Sequence, residues 1–379
     1  MKVVGLFAGV GGLETGLAAA GHETIALSEI WAPACAVLKA RIDAPNLGDV
    51  QEISSLPDGV DLLTAGFPCQ DLSQAGRTAG IGGKKSGLVE HVFRLLDKTP
   101  VDWVLLENVS FMLRLDGGAA MERLVRSFEE RNYRWAYRVV NTQAYLPQRR
   151  ERVFFLASRT QDPADILFAD DVTPHLPATD IGKLSHGFYW TEGVRGLGWA
   201  PDAVPPLKNG STVGIASPPA ILMPNGLVVT PDIRDAERLQ GLPENWTAPA
   251  EATGRASWRW SLVGNAVSAP VAAWIGRRLG NPSPYDRSLD KAFGGRWPRA
   301  ARFDGVKRQQ VQIGDFPCFE SRPHLHEFLQ FPGKPLSLRA TTGFLKRANA
   351  SSLRFPEGFL MRVEAHKARM EQSDIPIAA

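Results

Sequence analysis

The sequence of 379 residues predicts an α/β fold built on a mostly parallel, doubly wound sheet. Short apolar runs alternate with longer amphipathic stretches through the first 157 residues, which is typical of repeated strand–helix units. A glycine-rich turn follows the first apolar run, as expected where a strand of such a sheet passes into a helix. At roughly 100–200 residues per domain, the length suggests two or three domains.

The individual elements follow from these runs in chain order. Short apolar runs predict five strands, at Lys2–Ala8, Glu23–Ser28, Val60–Ala65, Asp102–Leu106 and Arg152–Ala157. Apolar residues at helical spacing predict six helices, at Leu13–Ala20, Ala32–Ala40, Leu88–Leu96, Met121–Glu130, Asp232–Leu239 and Val267–Leu279. Gly21 ends the first of these helices.

The composition divides the chain into four parts. Residues 1–157 carry the strand–helix pattern, and residues 158–229 are rich in Pro and Gly, which predicts an irregular region with short strands. Residues 230–280 return to the helical pattern. A Pro-containing linker at 281–284 precedes a C-terminal extension, residues 285–379, in which no motif is recognisable.

Charge is distributed unevenly behind a net charge of +3. Residues 281–379 hold 16 Lys and Arg against 10 Asp and Glu, whereas residues 1–280 hold 27 against 30. This balance suggests an anionic partner for the basic segment, and a solvated surface explains it equally well.

The cysteine count and the apolar runs favour a cytoplasmic protein. Cys35, Cys69 and Cys318 form neither a disulfide framework nor a metal-binding pair, so we expect a reducing compartment and no metal site. No run of about 18 apolar residues predicts a membrane span. Glycines and then Glu14 interrupt the apolar N-terminus too early for a signal peptide.

The glycine turn suggests a nucleoside ligand. Its spacing departs from G-x-G-x-x-G because position 14 is Glu, which disfavours a dinucleotide and hence an NAD-dependent oxidoreductase. Glu29 ends the second strand, where a carboxylate can accept hydrogen bonds from ribose hydroxyls, and Asp49 could reach an adenine amino group. S-adenosylmethionine is the common ligand of this kind, although the glycines alone could simply form a turn.

Two further polar side chains follow predicted strands. Cys69 comes after Val60–Ala65 and Glu107 after Asp102–Leu106, so both can face one crevice at the carboxyl edge of the sheet. The alternatives are a buried, inert cysteine and a helix-capping glutamate. Cys318 has no comparable strand before it and is interpreted as structural.

Two arginines and an asparagine complete the set. Arg150 and Arg152 share one face of an extended segment and suit phosphate or carbonyl oxygens, unless they form a solvated edge. Asn265 lies where a helix begins, and its role as a helix cap is at least as plausible.

Taken in order, these motifs identify a family. The sequence resembles the DNA cytosine-C5 methyltransferases through FAGVGG, GFPCQDLSQAG, ENV, PQRRERVF, RDAERLQGLPENW and LVGNAVSAPVAAWIG, which cover roughly residues 3–157 and 228–280. The resemblance implies a Rossmann-like S-adenosylmethionine-dependent methyltransferase fold, in which residues 158–229 form the target-recognition region.

The resemblance also assigns catalytic roles. Cys69, preceded by Pro68, would attack C6 of a cytosine flipped out of the duplex. Glu107 would protonate ring N3, and Arg152 would hold the O2 carbonyl with Arg150 nearby. Asn108 would order the Pro-Cys loop, and the segment Gln70–Ser86 would close over the base.

The positions that match the cofactor site are Phe7, Ala8, Gly9, Gly11, Gly12, Glu29, Asp49, Leu88, Asn265 and Val267. Two departures from the family pattern concern this site. Gly5 stands where the family usually has Asp, and Ile30-Trp31 follows Glu29 in an unusual order, so the residue that stacks on adenine is not assigned.

The implied partner is double-stranded DNA, bound by a monomer. Residues 158–229 hold 4 Lys and Arg against 7 Asp and Glu, so we expect the basic extension to share the DNA contact. The predicted DNA contacts are Gln70, Ser73, Arg296, Arg299, Arg302, Lys307 and Arg308. The family pattern fits a nucleoid-associated prokaryotic or phage enzyme, with or without a cognate restriction endonuclease; the alternatives are a tRNA cytosine-5 methyltransferase and a non-catalytic DNA-binding relative.

Overall fold

The computed structural model describes residues 1–67, 87–176, 179–210 and 217–373. The chain divides into two compact units. The first comprises Met1–Ala144, Glu151–Pro174 and Ala266–Phe319; the second comprises Tyr145–Arg150, His175–Asn265 and Glu320–Ala379.

The elements of the described residues are numbered in chain order. The strands are β1 Lys2–Leu6, β2 Glu23–Ser28, β3 Leu62–Ala65, β4 Trp103–Val109, β5 Arg134–Asn141, β6 Glu151–Ser158, β7 His186–Phe188, β8 Trp199–Pro201, β9 Ala220–Leu222, β10 Val228–Thr230, β11 Asp290–Ala292, β12 Ala300–Phe303, β13 Arg308–Val311 and β14 Lys334–Pro335. The helices are α1 Gly12–Ala19, α2 Ala32–Arg41, α3 Leu88–Lys98, α4 Ala119–Glu129, α5 Ala164–Leu167, α6 Ile233–Arg238, α7 Trp258–Asn265, α8 Ala269–Gly280, α9 Leu325–Phe328, α10 Leu338–Asn349 and α11 Phe359–Ser373.

The first unit contains the predicted α/β sheet. Strands β2–β1–β3–β4 are parallel neighbours, so their carboxyl ends lie at one edge, where ligands bind in open sheets of this kind. The rest of the sheet continues antiparallel in the order β6–β5–β12–β13–β11. Sequence analysis missed β5 and the three C-terminal strands, and its fifth strand, 152–157, lies within antiparallel β6.

Helices cover both faces of this sheet, as a doubly wound fold requires. Val4 and Leu6 of β1 join a buried core with Phe93 of α3 and Phe128 of α4. Gly5, between them, faces the opposite side, where α1 packs. Helices α1 and α8 approach closely there because Gly16 has no side chain: a Cβ on Gly16 would lie 2.3 Å from the carbonyl oxygen of Ala269.

The second unit is built around a smaller antiparallel sheet, in the order β14–β10–β9–β7–β8. The strands are two or three residues long, and irregular segments connect them. One core joins Phe188 and Leu222 of this sheet to Phe344 of α10 and Phe359 of α11.

The units do not follow the four sequence-predicted parts. The segment 158–229 is divided at 174/175 and the segment 230–280 at 265/266. The predicted extension, 285–379, is likewise divided, with residues up to 319 in the first unit and the remainder in the second. Among the described residues, no helix is long and apolar enough to cross a membrane.

Candidate active site

The turn after β1 is sharply bent and open on one side. Phe7, Gly9 and Gly11 have φ values of 54°, 57° and 79°, a region that non-glycine residues such as Phe7 seldom occupy. A Cβ on Gly9 would meet no atom within 4 Å, so there is free space in front of Ala8–Gly9. A Cβ on Gly12 would instead lie 2.5 Å from the carbonyl oxygen of Val267, which closes the turn on its other side.

Glu29 lies directly beside this free space. Its carboxylate accepts the backbone N–H of Gly9 at 2.8 Å and those of Ile30 and Trp31 at 2.9 and 2.8 Å. Asn46 fixes the Glu29 backbone, because Oδ1 accepts the Glu29 N–H and Nδ2 donates to the Glu29 carbonyl oxygen, both at 3.0 Å. Carboxylate oxygens have two lone pairs each, and these three hydrogen bonds leave one acceptor site on Oε2, so a half-buried Glu29 beside an open glycine fits a ribose hydroxyl.

Asn46 was missed by sequence reasoning. Its signal in the sequence is weak, an Asn two residues before Gly48, and its partner is 17 residues away. The predicted residue Asp49 comes directly after Gly48; its side chain is half-buried and accepts the Gln51 N–H. Leu88 begins α3 and packs against the main core, whereas Asn265 ends α7 in the second unit.

Glu107 and Asn108 lie near the end of β4, beside the chain that follows β3. Asn108 Nδ2 donates to the carbonyl oxygen of Phe67 at 2.9 Å. A Cβ on Gly66 would lie 3.9 Å from Glu107 Oε2, so the Glu107 carboxylate lies against the Gly66 backbone. The two side chains thus contact the residues that lead into Pro68 and Cys69. Pro68, Cys69, Gln70 and Ser73, with the predicted loop Gln70–Ser86, lie outside the described residues.

Arg152 also belongs to this group. It enters β6 opposite Val109, and its Nε lies 3.2 Å from Glu107 Oε1. Both side chains are largely buried, with exposed fractions of 16% for Arg152 and 10% for Glu107. A carboxylate, an amide and a guanidinium therefore meet at the carboxyl edge of β3 and β4, a set that can donate to and accept from the edge of a planar heterocycle.

Arg150 serves the second unit. Its buried guanidinium donates to the carbonyl oxygens of Leu207 at 3.0 Å and Gly264 at 3.2 Å. Gln148 donates to Leu239 and accepts the Leu207 N–H, so the motif that enters β6 holds three distant segments together. Arg150 is thus a positioning residue for Gly264, the residue before Asn265.

A buried acid that sequence reasoning missed lies behind the glycine turn. Glu14 is 2% exposed, and its Oε1 accepts the Thr64 hydroxyl at 3.0 Å. Desolvation by burial raises its pKa to about 7. Its carboxyl group occupies space that only a glycine at position 5 leaves free, since a Cβ there would lie 2.2 Å from Oε1. The buried Glu14 side chain therefore explains why Gly stands at position 5, where the family usually has Asp.

The basic residues predicted to contact phosphate have several different environments. Arg302 is buried and pairs with Asp162 at 2.5 Å and Asp290 at 3.2 Å, so the predicted phosphate contact is wrong for Arg302. Arg308 pairs with Glu129 and Glu122, and the hydrogen bonds that it donates to Glu129 are the main reason that its pKa lies above the ordinary value. Arg299 pairs with Glu151 and Asp315.

The two other predicted contacts, Arg296 and Lys307, are exposed and stay predictions. Within the part of the chain that the structure describes, no group of three or more His, Cys, Asp or Glu residues could hold a metal ion.

Comparison with known proteins identifies the family of the chain. The profile of the C-5 cytosine-specific DNA methylase family matches residues 1–188. Type II methyltransferase M2.BsuMI of Bacillus subtilis strain 168 is 45% identical over 391 aligned residues, covering 98% of this chain and all of that protein. Type II methyltransferase M.DsaV of Dactylococcopsis salina is 27% identical over 74% of this chain and 86% of its own.

A solved structure shares the fold. The Schizosaccharomyces pombe Dnmt2 methyltransferase aligns with 74% of this chain and 98% of its own, with a TM-score of 0.54 and 16% identity. The match to M2.BsuMI extends over almost the whole chain, and the site lies where parallel strands end in an α/β sheet. The chain therefore belongs to the C-5 cytosine-specific DNA methylase family and is a DNA (cytosine-5-)-methyltransferase.

Proposed function

We propose that the protein methylates C5 of a flipped-out cytosine in a specific duplex DNA sequence through a covalent Cys69 adduct. The observation that carries the proposal is the meeting of Glu107, Asn108 and Arg152 at the carboxyl edge of β3 and β4. There they contact or adjoin the two residues that precede Pro68.

S-adenosylmethionine fits the glycine turn after β1 together with Glu29 and Asp49. Glu29 would hold a ribose hydroxyl and Asp49 the adenine amino group, and the free space at Gly9 would admit the ligand close to the backbone. The remaining binding residues of the proposal are Phe7, Ala8, Gly11, Gly12, Leu88, Asn265 and Val267. When bound, this cofactor supplies the methyl group.

The protein's own residues make cytosine reactive. C5 of cytosine is a poor nucleophile, and addition of the Cys69 thiolate to C6 turns the ring into an enamine that is nucleophilic at C5. Glu107 donates a proton to N3 as that bond forms, and Arg152 holds O2. Once C5 carries the methyl group, loss of its proton to a base releases Cys69, and N3 returns its proton to Glu107. Extrusion of the cytosine from the duplex costs about a few kcal/mol.

Asn108 acts on geometry. By holding the Phe67 carbonyl, it fixes the chain that enters Pro68–Cys69 relative to β4. Glu107 lies in the same strand, so the acid and the residue that precedes Pro68 are held by one rigid element.

The relatives' names bear on biological context. M2.BsuMI and M.DsaV are called Type II methyltransferases. We propose by analogy that this protein acts in the cytoplasm as a monomer, within a restriction–modification system and beside a separate endonuclease.

Methyl transfer from radiolabelled S-adenosylmethionine tests the proposal. We expect incorporation into duplex DNA and not into tRNA, and the bisulfite pattern of DNA from expressing cells gives the target sequence. The Cys69→Ser variant should lose turnover and keep DNA binding, whereas the control Cys318→Ser should keep both. Methylation of tRNA alone, or full activity of Cys69→Ser, would refute the proposal.

A further inference from the structure

We propose that the C-terminal segment, residues 320–373, binds DNA as part of the second unit, and that Arg339 and Lys346 on α10 contact the DNA phosphates. The inference rests on the proposed function, because duplex DNA is the partner that it supplies. It adds a DNA contact in the other half of the basic extension to the exposed residues Arg296 and Lys307, which sequence analysis placed near the strands β11–β13.

The segment is built into the second unit rather than attached to its surface. Strand β14 pairs with β10, and α10 and α11 supply half of the core described above. His366 of α11, fully buried, accepts the Val228 N–H at Nδ1, and its Nε2 lies 2.9 Å from the Leu336 carbonyl oxygen. One histidine thereby joins a helix to both strands at the end of the sheet.

Two buried carboxylates fix the start of the segment. Asp202, beside β8, accepts the Leu325 N–H at 2.8 Å and pairs with Arg322 and His324. Asp235 of α6 accepts the backbone N–H groups of Gln330 and Phe331, both at 3.0 Å. Buried carboxylates with several donors are costly to disrupt, so the start of the segment is firmly held within the second unit.

The distribution of salt bridges shows where positive charge is left uncompensated. Of the seven Lys and Arg in residues 281–319, four form salt bridges within the first unit: Arg287, Arg299, Arg302 and Arg308. The other three, Lys291, Arg296 and Lys307, are exposed and have no salt bridge with a carboxylate of the described residues. In residues 320–373, four exposed basic side chains likewise form no such salt bridge. They are Lys334, Arg339, Lys346 and Arg354.

Helix α10 presents this charge in an ordered way. Arg339 and Lys346 are seven residues apart, two turns along one face, with the exposed Thr342 between them. The helix contains no Asp or Glu, and the two cations are about 10 Å apart along the helix axis, a length that spans about three phosphates of one strand when measured along the DNA axis. Glu364 of α11 lines the same groove as Lys346, so we expect the larger effect from Arg339.

Salt-dependent binding of the full-length protein to a fluorescein-labelled duplex of mixed sequence tests the inference. For Arg339→Ala/Lys346→Ala, the slope of log Kd against log salt should fall by about 1.8, and Kd should rise on the order of tenfold or more at low salt. The charge-conserving variant Arg339→Lys/Lys346→Arg should keep the slope, which separates lost charge from lost packing. Lys98→Ala, an exposed lysine at the end of α3, is the matched control.

The outcomes distinguish this inference from the proposed function. An unchanged slope for the folded double alanine variant, with methylation of DNA by the wild type, overturns only the role of α10. A slope that falls equally for Lys98→Ala also overturns it. Failure of the wild type to methylate any duplex refutes the proposed function, independently of the binding slopes.

Discussion

The buried acid Glu14 predicts a pH-dependent loss of stability. Its pKa is raised from 4.5 to about 7 by burial, so folding favours the neutral form. The stabilisation is fully present below pH 4.5, the pKa of this carboxyl group in the unfolded chain, and it is lost as the pH rises to about 7, the pKa in the native protein. A rise of about 2.5 pKa units at about 1.36 kcal/mol each amounts to about 3 kcal/mol.

Urea unfolding at pH 5 and pH 8 measures this loss. Glu14→Gln keeps an oxygen that accepts the Thr64 hydroxyl and cannot ionise, so its loss of stability between the two pH values should be about 3 kcal/mol smaller than that of the wild type. The absolute stability at one pH is not the readout, since the new amide has its own burial cost. Glu90→Gln, an exposed glutamate on α3, should behave like the wild type. An identical pH dependence of wild type and Glu14→Gln would refute the reasoning.

Three further changes test other parts of the structure. Gly16→Ala places a Cβ 2.3 Å from the Ala269 carbonyl oxygen and should lower the free energy of unfolding in urea by about 1–3 kcal/mol. The control Gly280→Ala, whose new Cβ meets no atom within 4 Å, should leave the stability unchanged. Equal stabilities of the two variants would contradict the close packing of α1 and α8. Arg302→Met leaves Asp162 and Asp290 without this partner and should lower the free energy of unfolding by about 3–5 kcal/mol. The control Arg296→Met, at an exposed position, should leave it unchanged. The reverse order of stabilities would exclude a structural role for Arg302. Asn46→Ala removes the hydrogen bonds that hold Glu29 and should weaken S-adenosylmethionine binding, measured by calorimetry, about fivefold, or about 1 kcal/mol. The control is Asn349→Ala, at an exposed asparagine of α10. Equal affinities of the two variants would contradict the role of Asn46.

Much of the candidate site was predictable because its residues follow strands. Gly9, Glu29 and Glu107 each come directly after an apolar run, and parallel strands bring their carboxyl ends to one edge. The side chains that support them were not predictable in the same way. Asn46 and Glu14 have partners 17 and 50 residues away, and nothing local in the sequence marks either contact.

The charge of the extension shows the same limit. Sequence composition identified residues 281–379 as basic, yet it treated Arg302 and Arg339 alike. Arg302 meets Asp162, 140 residues earlier in the chain, whereas Arg339 lies exposed on a helix without acids. Only the pairing of β12 with β5 and the burial that follows separate a structural cation from an exposed one.

The sequence by itself determined the family, the parallel half of the sheet and the order of the motifs, because these depend on local periodicity and on residue types at fixed spacing. The tertiary structure decided which acid occupies the space beside Gly5, which cations are neutralised, and that residues 320–373 complete the second unit. Those facts depend on long-range burial and strand pairing, which no short stretch of sequence encodes.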